Sequence, residues 1–250
     1  MSKKINIITL GCSKNTVDSE HLAAQLAAMD YKVVFDSDRT DADVVVINTC
    51  GFIGDAKQES VETILRAAQL KEAGKIEELF VVGCLSQRYA DELRPELPEV
   101  DDFFGVNDWA GIVERLGAKW REENATKREL STPSHYAYLK ISEGCNWMCG
   151  YCAIPLIRGR HKSVPMEKLI EEAEALVAGG VREIMVIAQD TTYYGVDIYG
   201  ERKLAELLER LCRIEKLEWV RLHYAYPTDF PQEVIDVMAR EKKICLSLDI

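Results

Sequence analysis

Three cysteines stand close together in one short stretch of the chain, EGCNWMCGYC. Cys145, Cys149 and Cys152 are separated by three and then two residues, so a single loop can bring three thiolates together. A structural zinc site closes its tetrahedron with four protein ligands, whereas an iron-sulfur cluster held by three cysteines keeps one iron open. The incomplete ligand set favours the cluster. A zinc site completed by a remote ligand such as His161, or a loop without metal, stays open on spacing alone.

Three further cysteines follow apolar runs in the first half of the chain. The runs INIITL, VVVIN and LFVVG each precede helical sequence, which predicts an α/β fold with a mostly parallel sheet. Cys12, Cys50 and Cys84 come directly after them or one residue later. Because ligands gather where parallel strands end, we expect these side chains to converge on a second metal cluster. The alternative is that each is a small buried core residue.

Composition restricts the class of protein. With 250 residues, of which 47% are hydrophobic and 29% charged, the chain can form one large or two ordinary globular domains. No apolar run is long enough for a membrane span, and the start is charged rather than a signal peptide, which predicts a cytoplasmic protein. Eight cysteines then indicate thiolate or metal chemistry rather than disulfides. The net charge of −11 disfavours a broad nucleic-acid surface and suits a basic protein partner.

The order of the predicted elements divides the chain in two. Residues 1–120 form the first predicted domain, and the polar segment 121–135 is a predicted linker. Residues 136–250 then alternate strands and helices, beginning with YAYLKIS and ending with ICLSLDI, as in the first part of a TIM-type barrel. Because the sequence stops within the fourth predicted strand, we expect a truncated piece of a longer protein.

The cysteine motifs resemble a known family. CxxxCxxC with an aromatic residue, Tyr151, before the last cysteine is similar to the radical S-adenosylmethionine (SAM) signature. The strings GCSKNTVDSE, NTCGFIGDAKQESVETIL and VVGCLSQRY resemble the N-terminal domain of the methylthiotransferases. This resemblance implies an N-terminal parallel-sheet domain followed by an incomplete radical SAM barrel, without the C-terminal TRAM module. It also implies SAM and two [4Fe-4S] clusters, one auxiliary on Cys12, Cys50 and Cys84, the other on Cys145, Cys149 and Cys152.

Two branches of that family differ in substrate. The segment IAQDTTYYGVDIYG and the start GCSKNTVDSE are similar to the RimO-like branch, which modifies an aspartate β-carbon in ribosomal protein S-twelve. MiaB-like proteins, which modify an adenosine in tRNA, carry GQN-type and GCQMN-type segments there. The resemblance implies S-twelve as partner, with an electron donor such as flavodoxin or ferredoxin and no membrane, while tRNA is the less favoured partner. The alternatives are a MiaB-like enzyme or a non-catalytic metal-binding scaffold, and the truncated chain is expected to turn over weakly or not at all.

Weaker predictions concern residues around the clusters. Gln189 and Asp190 end a barrel strand at its catalytic face, which predicts SAM or substrate contacts as one option and a structural role as the other. Arg158, with Arg160, is expected either to pair with a ligand carboxylate or to lie in a solvated turn. Tyr151 and Gln189 are the predicted cofactor-binding side chains.

Further side chains flank these positions. Tyr193 and Tyr194 either line the site or pack, and we expect packing. Asn15, Asn48 and Thr49 are expected to support the first cluster. Cys212 and Cys245 are predicted core residues.

Overall fold

The structure is a computed structural model that describes residues 3–249 and divides into two compact units between Ser131 and Thr132. The first unit alternates strands and helices, as predicted. In chain order its elements are β1 (Lys4–Thr9), α1 (Ser13–Ala27), β2 (Lys32–Phe35), β3 (Val44–Thr49), α2 (Gly54–Glu72), β4 (Glu78–Gly83), α3 (Cys84–Glu96), β5 (Asp102–Phe103), α4 (Trp109–Arg115) and a 3-10 helix (Glu122–Asn124).

Five parallel strands form one sheet in the first unit, in the order β2-β1-β3-β4-β5. Alternate residues of each strand face opposite layers. On one face Ile5, Ile7 and Val46 pack with Leu22 of α1 and Ile112 of α4. On the other face the core joins strands β3 and β4 to helices α2 and α3, with members that include Val45, Ile47, Val81, Ile64 and Leu85.

The sheet has a topological switch point between β1 and β3. These strands are neighbours, yet the helix that follows β1 covers one face of the sheet and the helix that follows β3 covers the other. The two connections therefore diverge and open a crevice beyond the carboxyl ends of both strands, which is where open α/β sheets bind ligands.

The predicted linker is largely packed onto the first unit. The backbone of Arg121 exchanges two hydrogen bonds with the Gln25 side chain, at 2.8 and 3.1 Å. Arg128 forms an ion pair with Glu20, and both side chains are buried. The backbone and side chain of Ser131 donate to the same Glu20 carboxylate at 2.8 Å. Residues 121–131 thus belong to the first unit, and the division falls within the predicted 121–135 segment.

The second unit contains a four-stranded parallel sheet in the order β11-β10-β9-β6, the sequential order of a barrel segment. Its elements are β6 (Tyr136–Lys140), β7 (Ser142–Glu143), α5 (Ile154–Ile157), β8 (Lys162–Ser163), α6 (Met166–Ala178), β9 (Glu183–Ile187), a 3-10 helix (Thr191–Tyr193), α7 (Val196–Tyr199), α8 (Leu204–Cys212), β10 (Trp219–Leu222), α9 (Gln232–Arg240) and β11 (Ile244–Leu248). Strands β7 and β8 pair antiparallel as a separate two-stranded sheet.

The predicted α/β class with parallel sheets is confirmed. Strands β2, β5, β7 and β8 were not among the predicted elements. Met1, Ser2 and Ile250, which fall within the predicted domain limits, lie outside the described residues. Within residues 3–249, none of the helices combines the length and the hydropathy needed to cross a lipid bilayer.

Candidate metal centres

Cys12, Cys50 and Cys84, here called the strand-end cysteines, all lie at the carboxyl edge of the first sheet. Cys12 is the N-cap residue of α1, Cys50 follows β3, and Cys84 is the first residue of α3, directly after β4. Cys12 and Cys50 flank the switch point and are half-buried, while Cys84 is 4% exposed. The sheet therefore brings these three segments to one edge, and the convergence of their side chains on a metal cluster stays a prediction.

Two glycines show how closely the three cysteine segments approach one another. A Cβ atom placed on Gly11 would lie 2.7 Å from the Cβ and 3.0 Å from the Sγ of Cys50. A Cβ atom on Gly51 would lie 2.6 Å from the carbonyl carbon and oxygen of Cys84. Only glycine permits these two approaches, so the backbone beside Cys12 touches Cys50 and the backbone beside Cys50 touches Cys84.

Amide side chains fasten these segments together. Asn15 donates from Nδ2 to the carbonyls of Leu10 and Thr49, at 2.8 and 3.1 Å. Asn48 donates to the carbonyl of Asn15 at 3.0 Å, and the Thr49 hydroxyl donates to that of Val82 at 2.6 Å. The expected donors to a cluster are therefore bonded to backbone oxygens, so Asn15, Asn48 and Thr49 support the cysteines by holding the turns.

Each strand-end cysteine also has a buried polar atom nearby that lacks a hydrogen-bond partner among the described residues. These atoms are Ser13 Oγ beside Cys12, Asn48 Oδ1 two residues before Cys50, and Ser86 Oγ two residues after Cys84. A buried hydroxyl without a partner is costly, and it can donate to the sulfur of a cluster. Two of the three thiols, those of Cys12 and Cys84, therefore have an unsatisfied hydroxyl nearby, which fits an iron-sulfur cluster, whereas the Asn48 oxygen can only accept a hydrogen bond. Sequence reasoning missed Ser13 and Ser86, whose only signal is adjacency to a cysteine.

Cys145, Cys149 and Cys152, here called the loop cysteines, lie on an excursion between β7 and β8. The paired residues Glu143 and Lys162 close its base. Just inside this base, the backbone N–H of Cys145 donates to the Gly159 carbonyl at 3.1 Å, and that of His161 donates to the Asn146 side chain at 3.1 Å. The two ends of the loop are therefore hydrogen-bonded to each other, and the three cysteines lie on the segment that these bonds close.

The sulfur atoms of this loop have polar neighbours. The backbone N–H of Trp147 donates to Cys145 Sγ at 3.4 Å, and the Tyr226 hydroxyl lies 3.9 Å from Cys149 Sγ. Burial raises the pKa of the Cys145 thiol, and Asp190 with the other two loop cysteines raises it further, although the Trp147 bond opposes this. A bound cation would offset this effect and stabilise the Cys145 thiolate, so this loop also fits a metal cluster.

A partly buried carboxylate, Glu143, lies at the foot of the loop. It accepts from Lys140 at 2.7 Å, from Nη1 of Arg158 at 3.0 and 2.9 Å, and from the Gln189 side chain at 2.9 Å. Burial alone would raise the pKa of Glu143, but the two cations overcome it and lower the pKa to about 2. The prediction for Arg158 is thereby corrected, because its carboxylate partner belongs to the chain itself and its side chain is buried.

Only one of the two polar side-chain atoms of Gln189 is hydrogen-bonded within the described residues. Its Nε2 is bonded to Glu143, while its Oε1 is buried and has no partner among the described residues. Sequence reasoning placed Gln189 at the site but missed Glu143, because its three partners come from separate elements.

Of the other residues predicted near the loop, Asp190 and Tyr194 are buried and Tyr151 is exposed. Asp190 accepts from the Trp147 indole at 2.6 Å and from the backbone and hydroxyl of Thr192, so both of its oxygens are engaged within the chain. Tyr194 is fully buried and donates to the Val164 carbonyl, as expected for a packing residue. Tyr151, by contrast, is 90% exposed, which leaves its ring free for a ligand.

In residues 3–249, no group of three or more His, Cys, Asp or Glu side chains is arranged so that it could hold a metal ion directly. The six ligands therefore stay a prediction, which the close turns and the unsatisfied hydroxyls of Ser13 and Ser86 support. Cys212 and Cys245 are both buried, as predicted for core residues, and burial raises the pKa of Cys212 to about 11.

Comparison with known proteins identifies both units. The model of the uncharacterized protein family UPF0004 matches residues 4–105, and that of the Radical SAM superfamily matches residues 139–250. A protein of Phocaeicola vulgatus named ribosomal protein uS12 methylthiotransferase RimO is 55% identical over 246 residues, 98% of this chain and 57% of that protein. A protein of the same name from Christiangramia forsetii is 53% identical over 247 residues, 99% of this chain and 54% of its own length.

Solved structures share the fold at low identity. TsrM from Kitasatospora setae, a radical SAM methyltransferase with cobalamin and a [4Fe-4S] cluster bound, has a TM-score of 0.61 at 14% identity, covering 98% of this chain and 60% of that one. OxsB, a cobalamin-dependent SAM radical enzyme, has a TM-score of 0.57 at 10% identity, covering 95% and 41%.

The chain thus spans a little over half the length of the curated relatives it matches. A segment that matches the UPF0004 family model is followed in this chain by one that matches the Radical SAM superfamily model, and the chain is similar to RimO proteins over almost its whole length.

Proposed function

We propose that the chain is part of a RimO-like methylthiotransferase that adds a methylthio group to an aspartate β-carbon of ribosomal protein uS12 in the cytoplasm. The observation that carries this proposal is the identity of 51–55% to RimO proteins over 98–99% of the chain, which includes both groups of three cysteines.

In this proposal each unit holds one four-iron cluster, through the strand-end cysteines in the first unit and the loop cysteines in the second. When bound with SAM at its open iron, the loop cluster would supply the electron that generates a carbon radical, which is needed because acid–base catalysis cannot break an unactivated C–H bond. The strand-end cysteines would hold the auxiliary cluster from which the methylthio sulfur is delivered.

The chain's own residues would orient SAM. Gln189 is held by Glu143 at the carboxyl end of β9, the end of a barrel strand at which active sites form, and its Oε1 is free to accept a hydrogen bond from SAM. The exposed ring of Tyr151, between two ligating cysteines, would contact the same molecule. Arg158 and Asp190 would act indirectly, by fixing Glu143 and Trp147.

The charge of the chain agrees with the proposed substrate. A net charge of −11 would attract a basic ribosomal protein and repel the phosphates of tRNA. A low-potential electron donor such as flavodoxin or ferredoxin would reduce the loop cluster.

The test begins with anaerobic reconstitution of the purified chain and analysis of bound metal. We expect about eight irons and a similar amount of sulfide per chain, as two cubane clusters require. Bound zinc in place of iron would contradict the proposal. The same iron measurement on a variant in which serine replaces all six cysteines, both the strand-end and the loop cysteines, provides the control for non-specific iron.

The substrate is tested by incubating reconstituted enzyme, SAM and a reductant with uS12 or with tRNA, followed by mass spectrometry. The full-length Phocaeicola vulgatus protein serves as the positive control for the reaction conditions. We expect the methylthio mass gain on uS12 alone. A gain on tRNA and none on uS12 would assign the MiaB-like activity instead.

A further inference from the structure

Tyr226 lies outside both cysteine motifs, and it reaches the loop cysteines from the end of a different strand. It follows β10 in the sequence HYAYP, and its hydroxyl oxygen lies 3.9 Å from Cys149 Sγ. Its ring stacks on Trp147 with a centroid separation of 4.4 Å and an interplanar angle of 22°. Tyr226 therefore touches the cysteine loop through both its ring and its hydroxyl.

The position of the Tyr226 ring is fixed from both sides. Trp147, its stacking partner, donates from its indole to Asp190 at 2.6 Å, and Asp190 is itself held by Thr192. The segment that carries Tyr226 is held by Thr191, whose backbone and hydroxyl donate to the Tyr224 carbonyl at 3.1 and 3.2 Å. The approach of the hydroxyl to Cys149 is thus set by the ends of β9 and β10.

We propose that Tyr226 is a positioning residue that donates a hydrogen bond to the Cys149 sulfur and thereby raises the reduction potential of the loop cluster. The inference rests on the proposed function, since it requires that Cys149 ligates iron. A ligating thiolate carries no proton, so the tyrosine hydroxyl is the donor in this contact. Such a bond stabilises the more negative, reduced cluster, and hydrogen bonds to sulfur are among the features that set cluster potentials.

The stack with Trp147 adds a second, separable effect. Stacked aromatic rings beside Cys149 exclude water from that side of the loop, and solvent exposure also sets cluster potential and cluster loss. Tyr226→Phe removes the hydroxyl and keeps the ring, whereas Tyr226→Leu removes both. Tyr136→Phe is the matched control. Tyr136 is the first residue of β6, at the end of that strand away from the cysteine loop, and its ring contacts survive the change.

The experiment uses the reconstituted chain in which alanine replaces the three strand-end cysteines, so that a single cluster is observed. Iron content is measured first, followed by a redox titration monitored by electron paramagnetic resonance. For Tyr226→Phe we expect unchanged iron content and a more negative midpoint potential, with the ratio of reduced to oxidised cluster at fixed potential about 2- to 10-fold lower, as for the loss of one hydrogen bond. Tyr226→Leu should show this shift and also lose its cluster faster in air.

Each result bears on a distinct claim. A midpoint potential of Tyr226→Phe equal to that of Tyr136→Phe, with iron fully bound, would overturn the role of Tyr226 and leave the proposed function intact. Absence of iron from the parent with intact loop cysteines would overturn both. A near-ultraviolet circular dichroism band of Trp147 that is kept in Tyr226→Phe and lost in Tyr226→Leu would support the two-part assignment.

Discussion

Glu143 holds the entry of the cysteine loop, its exit and the end of β9 through one carboxylate. Its partners are Lys140 before the loop, Arg158 after it and Gln189 beyond the next strand. The Glu143 side chain is 16% exposed and contacts two cations. Its removal should strongly destabilise the unit, because Arg158 and Lys140 would then lie in the interior without a counter-charge. Glu143 is therefore the residue on which the geometry of the loop cysteines depends.

Replacing Glu143 by Gln should destabilise the second unit in a pH-dependent way. The folded-state pKa of Glu143 is lowered to about 2, against about 4.3 in an unfolded chain, so the carboxylate contributes about 3 kcal/mol above pH 5. This contribution is lost as pH falls through 4 towards 2, because protonation removes the charge. Urea unfolding from pH 7 to pH 3 should show the gap between wild type and Glu143→Gln closing.

The control for this pH series is Glu167→Gln. Glu167 pairs with Arg210 in the same unit, but its side chain is 73% exposed, so its loss should cost less than about 1 kcal/mol at any pH. A Glu143→Gln deficit that stays constant down to pH 3 would contradict a role for the ionised carboxylate.

Gly11 allows a direct test of the crowding at the strand-end cysteines. Gly11→Ala would set a methyl group 2.7 Å from the Cβ of Cys50 at a φ of +90°, so Cys50 must move. We expect reconstituted iron to fall to about four per chain, since one cluster is lost. The matched control is Gly74→Ala, at a φ of +66° with nothing within 4 Å. It carries only the left-handed strain of about 1 kcal/mol and should keep all its iron; equal iron in both variants would refute the crowding argument.

At the scale of elements, segment 121–131 is a strap rather than a free linker. Its residues are polar and charged, which is why the sequence indicates a linker. The structure instead pairs Arg128 with Glu20, whose side chains are 1% and 0% exposed. Charges this deeply buried are tolerated because Ser131 also donates to the Glu20 carboxylate.

Arg128→Met should therefore destabilise the first unit by about 3 to 5 kcal/mol, the usual effect of leaving one member of a buried pair alone. Arg121→Met, an exposed change in the same segment, should have little effect on stability. Hydrogen exchange measured by mass spectrometry shows which unit loses stability. For Arg128→Met we expect faster exchange in β1 and β3 of the first unit and unchanged exchange in β9 and β10 of the second. Wild-type exchange rates in β1 for Arg128→Met would show that the segment is dispensable.

Apolar periodicity predicts the buried elements and misses the others. Strands β1, β3 and β4 are mostly apolar, and α6 has a clear apolar stripe, so local sequence is sufficient for them. Strands β7 and β8 contain only Ser-Glu and Lys-Ser, and their pairing arises from the closure of the cysteine loop. The cysteine positions likewise predict the two candidate sites, whereas Glu143 and Tyr226 are recognisable only once distant segments meet.

At the scale of the whole molecule, the two groups of cysteines lie in two separately packed units. The strand-end cysteines follow parallel strands of the first sheet, and their turns are fastened by Asn15 and Asn48 within that unit. The loop cysteines follow the first strand of the second sheet and are fastened by Glu143 within the second unit. Each group has its own support, so the two clusters should load independently.

Independent loading predicts that each half of the chain binds half of the iron. Replacing Cys12, Cys50 and Cys84 by alanine should leave about four irons per chain, as should replacing Cys145, Cys149 and Cys152, and the sixfold variant should bind none. Cys212→Ala and Cys245→Ala, which alter buried core thiols, are the matched controls and should keep about eight. Iron and sulfide analysis after anaerobic reconstitution makes the measurement, and circular dichroism checks that each variant is folded. Loss of all iron from a folded triple variant would mean that the six cysteines share one cluster, which the separate support of the two groups argues against.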